Sequence, residues 1–404
     1  MKKRFGILTV IVVIILAAAT TMSITAGFMR AKYDKVSENL QAQEKAFEKL
    51  SEINKLIRER YIGDFEETSL NNGIASGVIS GLDDAYAKYY SIEEYARYKE
   101  ELQGKITGIG ISVIEDESGY MRIVRVMDGS PAKEEKLRVG DLITSVNGTD
   151  VAELGFVKAC EELAGAEGTV ADFTYRHSGS TRKITCSVER KVLSVPSIEY
   201  ELIAGDVGYI KLYTFDATTA QSFATAIEEL MEEGASVFLF DVRRNSVGDI
   251  DVAAEVLDQL LPEGPIMWKV YSDSVDAEEV KSNADCLDMP MVVLIDENTA
   301  SAAELFACAL SDYYKATLVG ATTFGKGTIQ QIFPLSDRSA VSISVAYYNP
   351  PYSENYEGSG VEPHIRVTLS AEQKAKFYDM TMETDPQLLA ALETLGRSFD
   401  INED

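Results

Sequence analysis

A serine and a lysine stand in loop positions where side chains of these types can carry out hydrolytic chemistry. Ser301 follows the apolar run Met291 to Ile295 and directly precedes an apolar helical pattern. A serine at the start of a helix lies beside backbone N–H groups that have no partner within the helix and can hold an oxyanion. From its position alone, a helix cap is the simpler interpretation of Ser301.

Lys326 lies between Gly325 and Gly327, just before the apolar run Thr328 to Pro334. A lysine drawn into a dry pocket loses hydration, and its pKa falls towards that of a useful base. The stretch Gly320 to Lys326 also fits the first part of a phosphate-binding loop. Gly327 stands where such a loop needs Ser or Thr, which disfavours a nucleotide-binding protein.

A third loop, Asn245 to Gly248, follows the apolar run Val237 to Val242 and on its own is an ordinary connection between a strand and a helix. Strand-like runs here alternate with helical patterns over Thr218 to Glu233, Ile250 to Leu261 and Ala302 to Tyr314. This alternation is typical of an α/β domain, in which loops at the strand ends carry the site.

The composition limits the class of protein. Among 404 residues, 65 acidic side chains against 38 basic ones give a formal net charge of -27, the wrong sign for a broad nucleic-acid surface. An apolar content of 46% is enough to form cores, which excludes a disordered tail protein. The two histidines and four widely spaced cysteines predict no metal site, and no cofactor is expected.

The N-terminal residues predict an extracytoplasmic protein. Phe5 to Met29 carries no charge and as a helix is long enough to cross a bilayer. The basic residues Lys2 to Arg4 precede it, which keeps the N-terminus in the cytoplasm and sends the rest of the chain across. A cleaved signal peptide stays open as an alternative, because the strongest apolar run, Val10 to Ala19, is short.

Two regions of different pattern follow. From Tyr33 to Ile57, apolar residues recur at helical spacing with Lys and Glu between them, as in a helix that packs on a partner or in a solvated stalk. From Ile106 to Arg190, short β-type runs such as Met121 to Val126 and Leu142 to Val146 predict a small β-rich module. A last amphipathic helix is expected over Pro386 to Gly396.

Together these features resemble the carboxy-terminal processing peptidases, a serine-lysine family also called tail-specific proteases, and among them the sporulation-type subgroup. The motifs that carry the resemblance are Leu82 to Tyr86, Gly129 to Ala132, Val139 to Ile143, Val146 to Gly148, Val207 to Ile210, Asp241-x-Arg243, Ala300 to Ala302, Phe324 to Gly327 and Gly360 to Pro363. The resemblance covers residues 70 to 395.

The resemblance implies an α/β protease core with an inserted β-rich PDZ domain, helical N- and C-terminal dimerisation segments and an N-terminal membrane helix. The implied segments are the anchor at 1–30, a helical region at 31–103, the PDZ domain at 104–190, the serine-lysine core at 191–370 and a helical tail at 371–404. The two helical segments would form a homodimer.

By position in the family motifs, Ser301 would be the nucleophile, Lys326 its general base and Gln330 the residue that orients Lys326 through its amide oxygen. Serine is a poor nucleophile at neutral pH, so a neutral amine must take its proton and later return it to the leaving amine. The backbone N–H of Ala302 would be one oxyanion donor. The loop of Val247 and Gly248 would supply the other.

In the β-rich module, five residues resemble the PDZ loop whose N–H groups bind a free carboxylate while the next strand pairs with the peptide. These residues are Thr107, Gly108, Ile109, Gly110 and Ile111. The two isoleucines would favour an apolar last residue in the ligand. A purely structural module is the alternative.

One loop departs from the family pattern. The family usually has Asn-Pro-Gly-Gly where this chain has Asn245-Ser246-Val247-Gly248. If the turn requires a positive φ at Val247, a β-branched residue would resist it. Two functions are therefore expected: a membrane-anchored or secreted serine endopeptidase that cleaves the C-terminal tails of unstructured or partner proteins, or an inactive or weakly active PDZ scaffold that binds such tails without cutting.

Overall fold

A computed structural model describes residues 7–271, 277–283 and 286–399. The helices are α1 (Ile7–Arg60), α2 (Glu67–Ser80), α3 (Ile92–Glu101), α4 (Pro131–Glu134), α5 (Val151–Leu154), α6 (Phe156–Leu163), α7 (Thr219–Glu233), α8 (Ile250–Asp258), α9 (Ala302–Asp312), α10 (Ala371–Ala375) and α11 (Pro386–Thr394), with a 3-10 helix at Phe377–Asp379.

The strands are β1 (Lys88–Tyr90), β2 (Lys105–Gly108), β3 (Ile111–Glu115), β4 (Met121–Val126), β5 (Leu142–Val146), β6 (Thr149–Asp150), β7 (Val170–Arg176), β8 (Ile184–Glu189), β9 (Lys191–Ser194), β10 (Ile198–Ile203), β11 (Val207–Leu212), β12 (Val237–Asp241), β13 (Gly264–Tyr271), β14 (Glu278–Ser282), β15 (Met291–Ile295), β16 (Ala316–Gly320), β17 (Thr328–Pro334), β18 (Ala340–Asn349) and β19 (Ile365–Arg366).

The chain divides into two compact units, residues 1–73 and 74–404. In the first unit, α1 runs without a break, and Arg58 near its end forms an ion pair with Glu67, with 2.5 Å between Nη1 and Oε1. Where the structure describes side chains, no helix is long and apolar enough to cross a membrane. Most side chains from Ile7 to Ala19 lie outside that description, so the anchor expected over Phe5 to Met29 stays a prediction without structural support.

A six-stranded sheet forms the centre of the second unit, in the order β10-β11-β12-β15-β16-β19. β10 is antiparallel to β11, and the other neighbours are parallel. In β12, Phe238 and Phe240 pack with α7, α8 and α9 on one face, while Val237 and Leu239 pack with α11 on the other. Parallel strands covered on both faces consist of continuous apolar runs, and the predicted α/β core is confirmed.

The apolar face of α11 is covered within the chain. Leu388, Ala391 and Leu392 pack against the central sheet, because the second face of that sheet must also be shielded from water. Asp385, at the start of α11, accepts a hydrogen bond of 2.7 Å from the buried Arg243. These three side chains are therefore covered within the chain, and dimerisation through this helix stays a prediction. Residues 400–404 of the predicted tail lie outside the described residues.

The β-rich module has its own antiparallel sheet, in the order β3-β4-β5-β7-β8 with β6 paired to β5. Met121, Ile123 and Phe173 are among the side chains of its separate core. β3 lies at one end of this order, so among the described residues one of its two edges has no strand partner. β2 and β9 pair as a two-stranded ribbon at the two ends of the module.

A third sheet lies beside the central one, with the order β1-β18-β13-β14 and β17 also paired to β18. All its pairs are antiparallel. The strand β1 pairs with the first residues of β18, and β13 pairs with the last ones. β18 therefore brings segments from distant parts of the chain together.

Candidate active site

Ser301 lies at the turn between β15 and α9 in a strained backbone conformation. Its φ of 59° and ψ of -119° fall in a region that costs a non-glycine residue on the order of 1 to 3 kcal/mol. A sharp turn from a strand into a helix presents a serine hydroxyl beside the free N–H groups of the first helical turn. The side chain is 9% exposed and lines a cleft.

Hydrogen bonds join the Ser301 turn to the loop that follows β12. The backbone N–H of Ala300 donates to the carbonyl oxygen of Asn245 at 2.9 Å. The hydroxyl of Thr299 donates to the carbonyl oxygen of Val242 at 3.0 Å. The turn that carries the proposed nucleophile and the loop that contains Val247 are therefore held in one fixed arrangement.

A buried carboxylate that was not predicted from the sequence connects Ser301 to the loop of Lys326. Glu304 Oε2 accepts from the backbone N–H groups of Ser301 and Lys326, each at 2.8 Å. Its Oε1 accepts from the N–H of Gly325 at 2.6 Å and the hydroxyl of Thr323 at 2.5 Å. Burial raises the pKa of Glu304, and these hydrogen bonds oppose the rise. The spacing Ser301-x-x-Glu304 is that of a capping box, and this spacing was the sequence signal that could have indicated a role for Glu304.

Lys326 is half-buried and lies against an aromatic ring. Its Nζ is 5.0 Å from the ring centroid of Tyr86, and within the described residues it has no hydrogen-bond acceptor and no ion pair. Burial lowers the pKa of Lys326, while the charges of Glu357, Glu304 and Asp84 oppose that change. The neutral amine is therefore more easily populated than in an exposed lysine.

Gln330 is held through its amide nitrogen. Nε2 donates to Thr328 Oγ1 at 3.0 Å and to Ser344 Oγ at 3.1 Å. Neither of these hydrogen bonds involves the amide oxygen of Gln330. Ser301, Lys326 and Gln330 line one cleft of about 470 Å³. In the part of the chain that the structure describes, no hydrogen bond joins any two of these three side chains.

Two of the three expected oxyanion donors line the same cleft. Val247 and Gly248 are among its lining residues, and Ala302 is the first residue of α9. Across the described ranges, the backbone N–H groups of these three residues donate no hydrogen bond, so they are free for a ligand. The hydroxyl of Thr214 donates to the carbonyl oxygen of Val247 at 3.0 Å, which fixes that loop.

Val247 does not have the positive φ that would strain a β-branched residue in this loop. The non-glycine residue with positive φ in this loop is Arg244, with a φ of 61°. Its N–H donates to Asp296 Oδ1 at 2.9 Å, and its guanidinium carbon lies 4.4 Å from the ring centroid of Phe377. Val247 lies outside the left-handed region and is 61% exposed, so a β-branched side chain fits there without distortion.

Aromatic side chains from the segment before the β-rich module also line the cleft. Tyr86, Tyr90 and Tyr98 contribute, together with Leu102 and Ile250. A serine beside free N–H donors and a lysine of lowered pKa, lining one cleft, fit acyl transfer from a peptide. Among the described residues, no group of His, Cys, Asp and Glu side chains is arranged to hold a metal ion.

The five residues expected to bind a carboxylate lie where β2 leads into β3. The hydroxyl of Thr107 donates to Glu100 Oε2 at 2.7 Å, and Gly108 is the last residue of β2. The N–H groups of Ile109 and Gly110 donate no hydrogen bond within the described part of the chain. Gly110 has a φ of 83°, and a Cβ there would overlap the side chain of Ser130, so only glycine fits. Ile111 begins the edge strand β3.

Comparison with known families assigns three regions of the chain. Residues 206–367 match peptidase family S41, residues 98–171 match the PDZ domain, and residues 14–94 match the N-terminal domain of the activating protease CtpB. These matches support a serine peptidase with an S41 peptidase region and a PDZ domain.

The chain is also similar to individual proteins of known type. The chain is 29% identical to the carboxyl-terminal-processing protease of Synechocystis sp., over 84% of this chain and 80% of that protein. It is 28% identical to the carboxy-terminal processing protease CtpA of Bacillus subtilis, over 94% and 80%. The photosystem II D1 C-terminal processing protease has the same fold, with a TM-score of 0.51 and 24% identity over 78% of this chain and 86% of that one. These findings support a carboxyl-terminal processing peptidase.

Proposed function

We propose that the chain is an endopeptidase in which Ser301 attacks the peptide carbonyl and Lys326 is the general base. The observation that carries this proposal is that a serine on a strained turn and a lysine of lowered pKa line one cleft. The neutral Lys326 amine takes the serine proton and returns it to the nitrogen of the scissile bond. The C-terminal fragment then leaves with a new N-terminus, and the N-terminal part of the substrate stays bound to Ser301 as an ester. Water then attacks the ester, the amine takes a proton from that water, and the serine is restored.

The oxyanion of each tetrahedral intermediate is held by backbone N–H groups in this proposal. Ala302 supplies one donor, and Val247 or Gly248 supplies the other, as their free N–H groups support. Fixed donors of this kind stabilise the charge that develops in the transition state more than the neutral carbonyl of the substrate.

Gln330 is proposed to orient the base. Its amide nitrogen is fixed by Thr328 and Ser344, which leaves the amide oxygen to accept from Lys326. The amine must first leave the ring of Tyr86, because no hydrogen bond joins Lys326 to Ser301 in the structure. Substrate that enters the cleft beside Tyr86 would favour this shift.

The substrates are proposed to be proteins or peptides with a free C-terminus, captured by the PDZ domain. Two free N–H groups, those of Ile109 and Gly110, stand next to the open edge of β3, which supports binding of a carboxylate and pairing of the tail as an added strand. Ile109 and Ile111 lie in or against the module core and favour an apolar last residue.

Cleavage of an unstructured polypeptide with a free C-terminus should be faster than cleavage of the same polypeptide ending in an amide. We expect a difference of about tenfold at substrate concentrations below saturation, because an amide lacks the charge that backbone N–H groups bind most strongly. Product formation is followed by mass spectrometry, and calorimetry measures how tightly the two tails bind.

Two outcomes would contradict the proposal in different ways. Equal cleavage of the acid and amide forms would reject tail recognition but leave the peptidase intact. A protein that binds the free tail, cleaves neither form and does not react with a fluorophosphonate serine probe would be the non-cleaving PDZ scaffold.

Activity should rise with pH through the lowered pKa of Lys326, because the ammonium form cannot accept the Ser301 proton. Glu357 raises that pKa by its charge, so Glu357→Gln should move the rising limb of the kcat profile to lower pH. Glu354→Gln, an exposed change in the same loop, serves as the control and should leave the limb in place. A limb that stays fixed or moves to higher pH in Glu357→Gln would contradict Lys326 as the base.

We also propose that the protein acts outside the cytoplasm as a homodimer. The uncharged run Phe5 to Met29 after Lys2 to Arg4 supports a single-pass anchor, or secretion if that segment is cleaved. Phe47, Ile53 and Leu56 on α1 are exposed and apolar, which supports contact with a second copy through this helix. Nucleic acid and cofactors have no part in the proposal.

A further inference from the structure

The phenol of Tyr348 contacts the backbone of both proposed catalytic residues. Tyr348 lies in β18, and its side chain is fully buried. Its hydroxyl oxygen is 3.1 Å from the carbonyl oxygen of Ser301 and 2.5 Å from that of Lys326. The hydroxyl of Tyr356 donates to Tyr348 Oη at 2.8 Å, and the two rings meet edge to face with centroids 5.7 Å apart.

We propose that Tyr348 is a positioning residue that sets the separation between the turn of Ser301 and the loop of Lys326. The proposal rests on the catalytic roles proposed for these two residues. A phenol hydroxyl carries one proton, and the carbonyl oxygens of Ser301 and Lys326 are the two acceptors that share the proton of Tyr348. One buried hydroxyl thus contacts the backbone carbonyl oxygens of both the proposed nucleophile and its proposed base.

The two carbonyl oxygens depend on Tyr348 to different degrees. That of Ser301 also accepts from the N–H groups of Glu304 at 2.9 Å and Leu305 at 3.1 Å. For the carbonyl oxygen of Lys326, Tyr348 is the one donor found among the described residues. Removal of the phenol hydroxyl should therefore displace the loop of Lys326 while the turn of Ser301 stays in place.

Tyr356 offers a matched control for this role. It is also buried, and Tyr356→Phe deletes one buried hydroxyl, as Tyr348→Phe does. The change at Tyr356 leaves the hydroxyl of Tyr348 on both carbonyl oxygens. A role in packing alone predicts similar effects of the two substitutions on activity, whereas a positioning role predicts very different ones.

The experiment compares the two variants in the full chain with the tail substrate described above. For Tyr348→Phe we expect kcat to fall by about 10-fold to 100-fold with KM changed less than about twofold, because a displacement of about 1 Å at a catalytic group can cost about 100-fold in rate. Its rising pH limb should move to higher pH, since a loosened loop exposes Lys326 to water. Tyr356→Phe should lose less than about threefold and show no shift.

Equal losses of kcat in the two variants, or a Tyr348→Phe enzyme with native kcat and pH profile, would overturn the proposal. Folding is checked by thermal unfolding and by tail binding to the PDZ domain. If Tyr348→Phe does not fold, a crystal structure of the native chain phosphonylated at Ser301 decides the question. Tyr348 Oη should remain within hydrogen-bond distance of both carbonyl oxygens there, and loss of either contact would overturn the proposal.

These outcomes are separate from those that test the dyad itself. A Ser301→Ala enzyme that still cleaves substrate would refute the catalytic assignment, whatever the effect of Tyr348→Phe. An active native enzyme in which the two phenylalanine variants behave alike would refute only the positioning role.

Discussion

Replacing Ser301 by alanine is expected to lower the rate of peptide cleavage by more than about 1,000-fold without unfolding the chain. Lys326→Ala should cost as much, because the serine is not activated when its base is missing. The double variant should be no worse than either single one, since residues that act as one unit lose function non-additively. Cleavage of a disordered substrate gives the rate, and thermal unfolding verifies the fold.

Matched substitutions outside the cleft control for changes in the folded state. Ser311→Ala alters a serine at the other end of α9. Lys315→Ala removes a lysine that forms an ion pair with the exposed carboxylate of Asp288. Both variants should keep the native rate within about twofold. More than a trace of cleavage by Ser301→Ala would mean that another group is the nucleophile.

Glu304→Gln should lower the cleavage rate by about 100-fold or more and reduce thermal stability. Its two carboxylate oxygens accept four hydrogen bonds, and an amide nitrogen in place of either oxygen would face donors and could not accept. A buried donor left unpaired costs about 1 to 3 kcal/mol. Relaxation of the loop to regain partners would move Lys326 away from Ser301. Steady-state kinetics and thermal unfolding measure the two effects.

Glu297→Gln is the matched control, because it makes the same chemical change on the exposed side of the same turn. Glu297 forms an ion pair with Lys374 in which both side chains are well exposed, and such pairs contribute about 0 to 1 kcal/mol. Its rate and stability should be close to those of the native chain. Native activity in Glu304→Gln would show that the carboxylate does not hold the site together.

Strands β12 and β15 of the central sheet could be predicted from the sequence because they are buried on both faces. Met291 to Ile295 was predicted from its continuous apolar run and is confirmed residue for residue as β15. The run Thr328 to Pro334 is likewise confirmed as β17. Local patterns of this kind also located Ser301 and Lys326 at loop positions beside the sheets, although the roles of both residues stay proposals.

The other strands of the third sheet, and the contacts around the site, could not be predicted in the same way. β1, β13, β14 and β18 were missed, because their partners are distant in sequence and their faces are only partly buried. The same reason hid Tyr86, whose position over Lys326 depends on the pairing of β1 with β18. The conformation of Val247 depends on hydrogen bonds from neighbouring loops, which a family motif does not contain.

The order of synthesis also limits when this protein can become a protease. Part of the cleft wall comes from the segment around Tyr86, where Asp84 accepts from the N–H of Ser344, 260 residues further along. Contacts between such distant segments form late in folding, because a long loop must close before they can be made. The segment that carries Tyr86 leaves the ribosome well before β18 has been made. A growing chain therefore cannot complete this cleft until β18 has been made and has paired with the segment that follows Tyr86.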